Sequence, residues 1–171
     1  MKRAIQAKLL MTVLILVSLT ACGGGGGGGG AAPSYTKAIV TLSTAGTGTL
    51  IYGIQVTVNL PAGVTAKASL YSAGSSSIVD AGVITATGTA AGSYTSGAYL
   101  AGAASSTYKI TMDVFNANGF SGPGEFAQVT CDITAGSSPS AAGFSLSNFE
   151  AVDGGGVSIP GFTSGFTVTF Q

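Results

Sequence analysis

Few side chains in this 171-residue sequence could do chemistry, and their spacing narrows the choice further. There is no histidine. That removes the usual general base and a common metal ligand. Two cysteines remain, Cys22 and Cys131. Cys131 alternates with Val129 and Ile133, which predicts a buried, inert thiol. A nucleophile there would need a base beside it, and none is suggested. Because the cysteine count is odd once Cys22 is set apart, an intermolecular disulfide is the remaining alternative. Asp80, Asp113, Asp132 and Asp153 lie far apart, with no Asp-x-Asp loop. They read as incidental surface carboxylates rather than a glycosidase pair or a calcium site. Tryptophan, a common sugar platform, is absent. Asp153, in a glycine-rich turn near Glu150, is the least poor calcium candidate. The expectation is a protein with no catalytic residues, no cofactor and no metal.

The aromatic side chains offer a different chemistry. Phe115, Phe120 and Phe126 flank the segment Asn116 to Gly124. Phe115 and Phe126 fall out of phase with the apolar positions of their own strands. Either both faces of the sheet are partly covered there, or the rings form a patch for a protein partner or a sugar ring. Tyr94 and Tyr99, with Tyr71, form a second group of the same kind. A nucleic-acid partner is excluded by charge. Three of the six basic residues, Lys2, Arg3 and Lys8, lie in the first eight positions. The rest of the chain sets Lys37, Lys67 and Lys109 against six acids, a side-chain balance of −3. No basic stripe is left for a phosphate backbone.

Location comes from the amino terminus. Residues 1–8 are basic, and Leu9 to Leu19 is apolar except for Thr12 and Ser18. A basic stretch, a short apolar run and small residues before a cut make a secretory signal. The run is too short for the ~20 residues of a spanning helix. A short amino-terminal anchor helix is the alternative. Gly23 to Gly30 follow as an uninterrupted tract, then Ala31-Ala32-Pro33-Ser34. Such a tract is a flexible leash with a reach of about 15 Å. It lacks the flanking strand, helix and Lys or Ser/Thr of a phosphate-binding loop.

After the leash the pattern turns to period two. Ala38, Val40 and Leu42 alternate, and Ile54, Val56, Val58 and Leu60 alternate strictly with Gln55, Thr57 and Asn59. Tyr108, Ile110, Met112 and Val114 repeat the pattern, as do Ala127, Val129, Cys131 and Ile133 and finally Phe166, Val168 and Phe170. Weaker strands are expected over 64–71, 82–89, 94–101 and 144–152, with loops at 74–77, 116–124 and 136–143. In the 144–152 run the phase shifts by one between Leu146 and Phe149, which suggests a bulge. Eight or nine short strands, with no 3.6-residue stripe, predict an all-β sandwich or barrel. With residues 1–21 removed, the remaining 150 are enough for one core without disulfides. Sparse charge leaves the strand edges weakly guarded.

Two resemblances add to this. Leu19-Thr20-Ala21-Cys22 resembles the lipobox of bacterial lipoproteins. It implies cleavage before Cys22 and fatty acylation of that residue, with diacylglycerol on the sulfur and acyl chains of the palmitate kind. Two or three chains anchor firmly where one is marginal. Gly23, in place of an inner-membrane retention aspartate, implies the outer membrane or cell surface. Secondly, the segments 53–64, 124–133 and 144–170 resemble strands of cohesin domains. That resemblance implies a nine-stranded jelly-roll β-sandwich, a scaffold shared with several carbohydrate-binding modules. Cohesins bind dockerin modules through one sheet face. Here Gly154-Gly155-Gly156 stands where the family has an acidic turn, so no dockerin contact is carried over.

The sequence is therefore expected to divide into a signal peptide (1–21), a lipidated glycine-rich linker (22–35) and a cohesin-like β-sandwich (36–171). The expected function is non-catalytic. An exported, lipid-anchored envelope module would bind another protein or an envelope or matrix component. The alternative is a carbohydrate-binding module on the same scaffold. Lipidation falls on Cys22, and the candidate partner or sugar contacts are Phe115, Phe120, Phe126, Tyr94 and Tyr99. The expected partners are the membrane, through the lipid, and a protein or polysaccharide ligand.

Overall fold

In the computed structural model the described residues are 34–48, 50–69, 76–101 and 108–171, all within the unit Pro33–Gln171. The expected signal, the expected lipidation site Cys22 and most of the expected linker lie outside them, as does Tyr71. Eleven strands occur among the described residues. They are β1 (Lys37–Ala45), β2 (Ile51–Leu60), β3 (Val64–Thr65), β4 (Ala68–Ser69), β5 (Ser76–Val79) and β6 (Ile84–Ala86). Then come β7 (Tyr94–Leu100), β8 (Tyr108–Phe120), β9 (Gly124–Ile133), β10 (Ser145–Val152) and β11 (Thr163–Phe170).

The strands form two sheets, an all-β sandwich of jelly-roll-like arrangement. One sheet runs β11-β1-β9-β3, with β6 also paired to β9. The other runs β10-β2-β8-β7-β5-β4. All strand pairings are antiparallel. Alternation explains the layering, because side chains two apart share a face. Ala38, Val40 and Leu42 of β1 are fully buried, as are Val129 and Cys131 of β9. Facing them in the core are Val56 and Val58 of β2 and Ile110 and Met112 of β8, also fully buried. In register, Val40 pairs with Val129, Val56 with Met112 and Val58 with Ile110.

Three strands deviate, and each deviation moves a large side chain. On β9, Leu42 pairs with Ala127 but Ser43 pairs with Glu125, so Phe126 is an extra residue against β1. This bulge turns consecutive residues Phe126 and Ala127 both into the core. On β10, Ser147 pairs with Thr57 and Glu150 with Gln55. Asn148 takes φ 52° there, a left-handed conformation that asparagine tolerates better than most residues. Leu146 and Phe149 then both pack against the core, as the phase shift suggested. On β8, Phe115 pairs with Gly53 and Phe120 with Ile51, so residues 116–119 bow out over Tyr52. A Cβ on Gly119 would come within 3.2 Å of the Tyr52 ring, and its φ is +70°.

The structure corrects several expectations about loops and strand limits. The segment 116–124 is no loop for most of its length, because β8 continues to Phe120. Its Asn-Ala-Asn-Gly sequence reads as a turn, and Asn116 does make one: its Oδ1 accepts the Asn118 amide at 3.0 Å. The flanking pairs with β2 carry the strand through. Ser76 and Ser77, expected in a loop, start β5 and pair with Leu100 and Tyr99. The run expected over 64–71 changes sheet: Thr65 pairs with Asp132 in one, Ala68 with Val79 in the other. In the 82–89 run only β6 is strand; a 3-10 turn over Gly88–Ala90 follows. Splitting and crossing raise the strand count above eight or nine.

Candidate functional site

The outer face of the six-stranded sheet is built from the residues that alternate with the core. Four strands set it out in rows. One row runs Val152, Gly53, Phe115, Tyr94; the next Glu150, Gln55, Asp113, Ser96; the third Ser147, Thr57, Thr111, Ala98. Side chains along the rows bond to one another. The Gln55 amide donates to Asp113 Oδ1 at 3.0 Å. The Thr57 and Thr111 hydroxyls meet at 3.2 Å. Asn59 Nδ2 donates to Ser145 Oγ and to Ser147 Oγ, each at 3.2 Å. Cross-strand polar pairs of this kind hold side chains in fixed directions.

At the end of this polar field Tyr94 sits directly opposite Phe115. Their ring centroids are 5.0 Å apart at an interplanar angle of 51°. Both are exposed, Tyr94 at 61% and Phe115 at 51%. Next to them lies a concavity of about 680 Å³, lined by Tyr94, Ser96, Ala98, Thr111, Asp113 and Ile78, with turn residues Asp80 to Gly82 along it. Ile78 is itself 54% exposed. Beneath, Gly97 allows β6 to come close: a Cβ there would lie 2.4 Å from Ile84 Cδ1.

The five candidate contact residues do not share one surface. Phe115 and Tyr94 come together, as above. Phe120 and Tyr99 are 5% and 7% exposed, and Phe126 is fully buried. These three side chains belong to the core, so of the five only Phe115 and Tyr94 are exposed. The β9 bulge accounts for Phe126 and the bowed segment of β8 for Phe120. Tyr99 faces inward opposite Ile110, with its ring stacked on Tyr108 at 6.2 Å. Burial first, then the neighbouring Tyr108, push its phenol above the ordinary range. Thr57 is only 2% exposed and offers no contact area. Gln55, Thr111 and Asp113 of the polar field were not singled out from sequence as contacts. Their strict alternation with buried residues was the available signal.

The other reactive groups have local explanations. Burial, and after it the neighbouring Asp132, push the Cys131 thiol up to about 12, with Lys37 opposing. Lys37 and Asp132 form a half-exposed ion pair on the opposite sheet. Asp153 Oδ1 accepts the Gly155 and Val157 amides at 2.8 and 2.9 Å, so this carboxylate closes its own turn. Among the described residues no group of three or more His, Cys, Asp or Glu side chains is placed to hold a metal ion.

No family model matches the chain, and no curated protein matches it either. Among solved structures it is similar to the non-cellulosomal cohesin from the hyperthermophilic archaeon Archaeoglobus fulgidus. That similarity has a TM-score of 0.46 at 15% sequence identity and covers 74% of this chain and 75% of the cohesin.

Proposed function

We propose that this chain is a non-catalytic binding module of the cell envelope, which contacts another protein or an envelope or matrix component through the outer face of the six-stranded sheet. The carrying observation is the Tyr94–Phe115 pair. Two aromatic rings stand exposed side by side at the end of a face whose polar side chains are already fixed by mutual hydrogen bonds. Rigid aromatic rings give contact area at low entropic cost and are enriched among residues that dominate binding. The face does carry two carboxylates, Asp113 and Glu150, but Asp113 is already bonded to the Gln55 amide, and the exposed ring pair is the feature that points to binding.

The module is delivered and held by the amino terminus. A signal over 1–21 exports the chain, Cys22 receives the lipid, and the linker through residue 35 lets the domain over 36–171 reorient near the outer membrane or cell surface. Sparse charge in the mature chain gives anionic lipid little to attract, so the acyl chains do the anchoring.

A specific observation favours a second occupant of the same face. The concavity beside Tyr94 combines an aromatic ring with Ser96, Thr111 and Asp113, which suits a sugar ring's apolar face and hydroxyls. Full-length protein in detergent, wild type and the Y94A/F115A double variant, would be tested against immobilised envelope proteins and an immobilised glycan panel. Saturable wild-type binding to envelope protein, weakened in the double variant, supports the first occupant. The same result on a glycan supports the second. Equal binding by both proteins removes this face from the function.

A further inference from the structure

We propose that β11 is a pairing edge for a second copy of this chain, joining two copies antiparallel into one continuous sheet. β11 ends its sheet, with β1 on one side only. Its sequence, Thr-Ser-Gly-Phe-Thr-Val-Thr-Phe, has no charge and no proline. It keeps register with β1 without a shift from Ala38–Phe170 to Ala45–Thr163. A long, uncharged edge is what folded proteins usually avoid leaving open.

The hydrogen-bonding phase of that edge is fixed. Lys37 and Gln171 exchange both backbone bonds, each at 2.9 Å. Bonded pairs recur every second residue, so Thr169, Thr167 and Gly165 bond to β1. The amides and carbonyls of Ser164, Phe166, Val168 and Phe170 therefore point away from it, and among the described residues β11 has no other strand partner. The core is also open here. Phe166, Val168 and Phe170 face inward but are only half-buried, while their β1 neighbours Leu42, Val40 and Ala38 have no exposure.

The other edges are guarded. β10 carries Glu150 and its bulge at Asn148, and the Ile159 amide caps the Ala151 carbonyl at 2.8 Å. β3 and β4 are two residues each, and β6 is three. A second copy fits β11 because one antiparallel register uses every free group. Ser164 then faces the second copy's Phe170, Phe166 faces its Val168, and Thr167 faces its Thr167. About eight backbone hydrogen bonds form, and the contact closes on a two-fold axis. Phe166 and Val168 cover one another across the junction, where a charged strand would find no counter-charge. The Tyr94–Phe115 face belongs to the other sheet and stays free, so pairing would present it twice.

The register gives a direct test in the full chain. Thr167 meets its own copy in a non-hydrogen-bonded pair, where Cα atoms lie about 4.5 Å apart, within disulfide reach. Thr169, also exposed and on the same face, would meet the second copy's Gly165 instead. Thr167→Cys and Thr169→Cys would be compared with the parent chain under mild oxidation on non-reducing gels, with Tm confirming the fold. Cys22 and Cys131 are common to all three. The proposal expects a cross-linked dimer from Thr167→Cys at least about fivefold above the other two, given the geometry a disulfide demands. Cross-linking of Thr167→Cys no greater than that of Thr169→Cys or the parent would overturn it.

Discussion

Tyr94 lies directly across the strand pair from Phe115, with ring centroids 5.0 Å apart and both rings more than half exposed. Eleven positions on, Phe126 is fully buried. The contrast predicts opposite costs of truncation. Tyr94→Ala or Phe115→Ala removes an exposed pair and should cost about 0.5–1.5 kcal/mol. Phe126→Ala empties a packed site and should cost about 3–5 kcal/mol. Urea titrations of the three variants give the comparison, and similar midpoints for Phe126→Ala and the wild type would show that Phe126 is not in the core.

Two glycines with positive φ should differ when given a methyl group. A Cβ on Gly88, at φ +51°, would lie 2.3 Å from the Glu125 carbonyl oxygen, which is backbone and cannot swing aside. A Cβ on Gly82, at φ +85°, meets nothing within 4 Å. Gly82→Ala should therefore cost only the left-handed penalty, about 1–2 kcal/mol. Gly88→Ala adds overpacking worth about 1–3 kcal/mol. Thermal melts that rank Gly82→Ala as the more damaging change would contradict this placement.

Cys131 predicts a pH dependence with a definite sign. Its thiol titrates near 9.0 when unperturbed and near 12 in the folded protein. Below pH 9 both states hold the proton and the thiol adds no slope. Above pH 9 the unfolded chain loses the proton first, so it binds fewer protons than the native state. Stability then falls as pH rises from about 9 toward 12. Chemical denaturation at pH 8 and pH 10.5 should show a loss that shrinks in Cys131→Val, relative to the wild type. An unchanged loss in that variant would assign the slope to other groups.

The amino terminus makes a prediction independent of the fold. Intact mass spectrometry of the mature protein from membranes should find a chain that starts at Cys22 and carries diacylglycerol. Cys22→Ala should leave the signal uncleaved by the lipoprotein route and move the protein out of the lipid-anchored fraction. A wild-type chain that retains residues 1–21 without lipid would exclude lipid anchoring.

Much of the sandwich was legible because long runs of its central strands obey period two. Val56 and Met112 pair in the core as their alternation requires, and so do Val40 and Val129. Legibility failed where register changes. Phe126 looked displaced from its strand, yet only the shift between Leu42 and Ser43 shows that it turns inward. Phe120 followed a turn-like Asn-Ala-Asn-Gly, and long-range pairing with Ile51 keeps it in strand. Ser76 and Ser77 carry no apolar signal; pairing with β7 makes them strand. Phe115 and Tyr94 could be named from sequence as candidates, but their contact depends on a register between distant segments.

The most direct test of the binding face is equilibrium binding of full-length wild type and the Y94A/F115A double variant to the envelope protein or glycan that the wild type captures. The account predicts that the double variant retains its folded-state circular dichroism while its affinity drops by about tenfold or more, roughly 1.4 kcal/mol. Unchanged affinity in a folded double variant would contradict it.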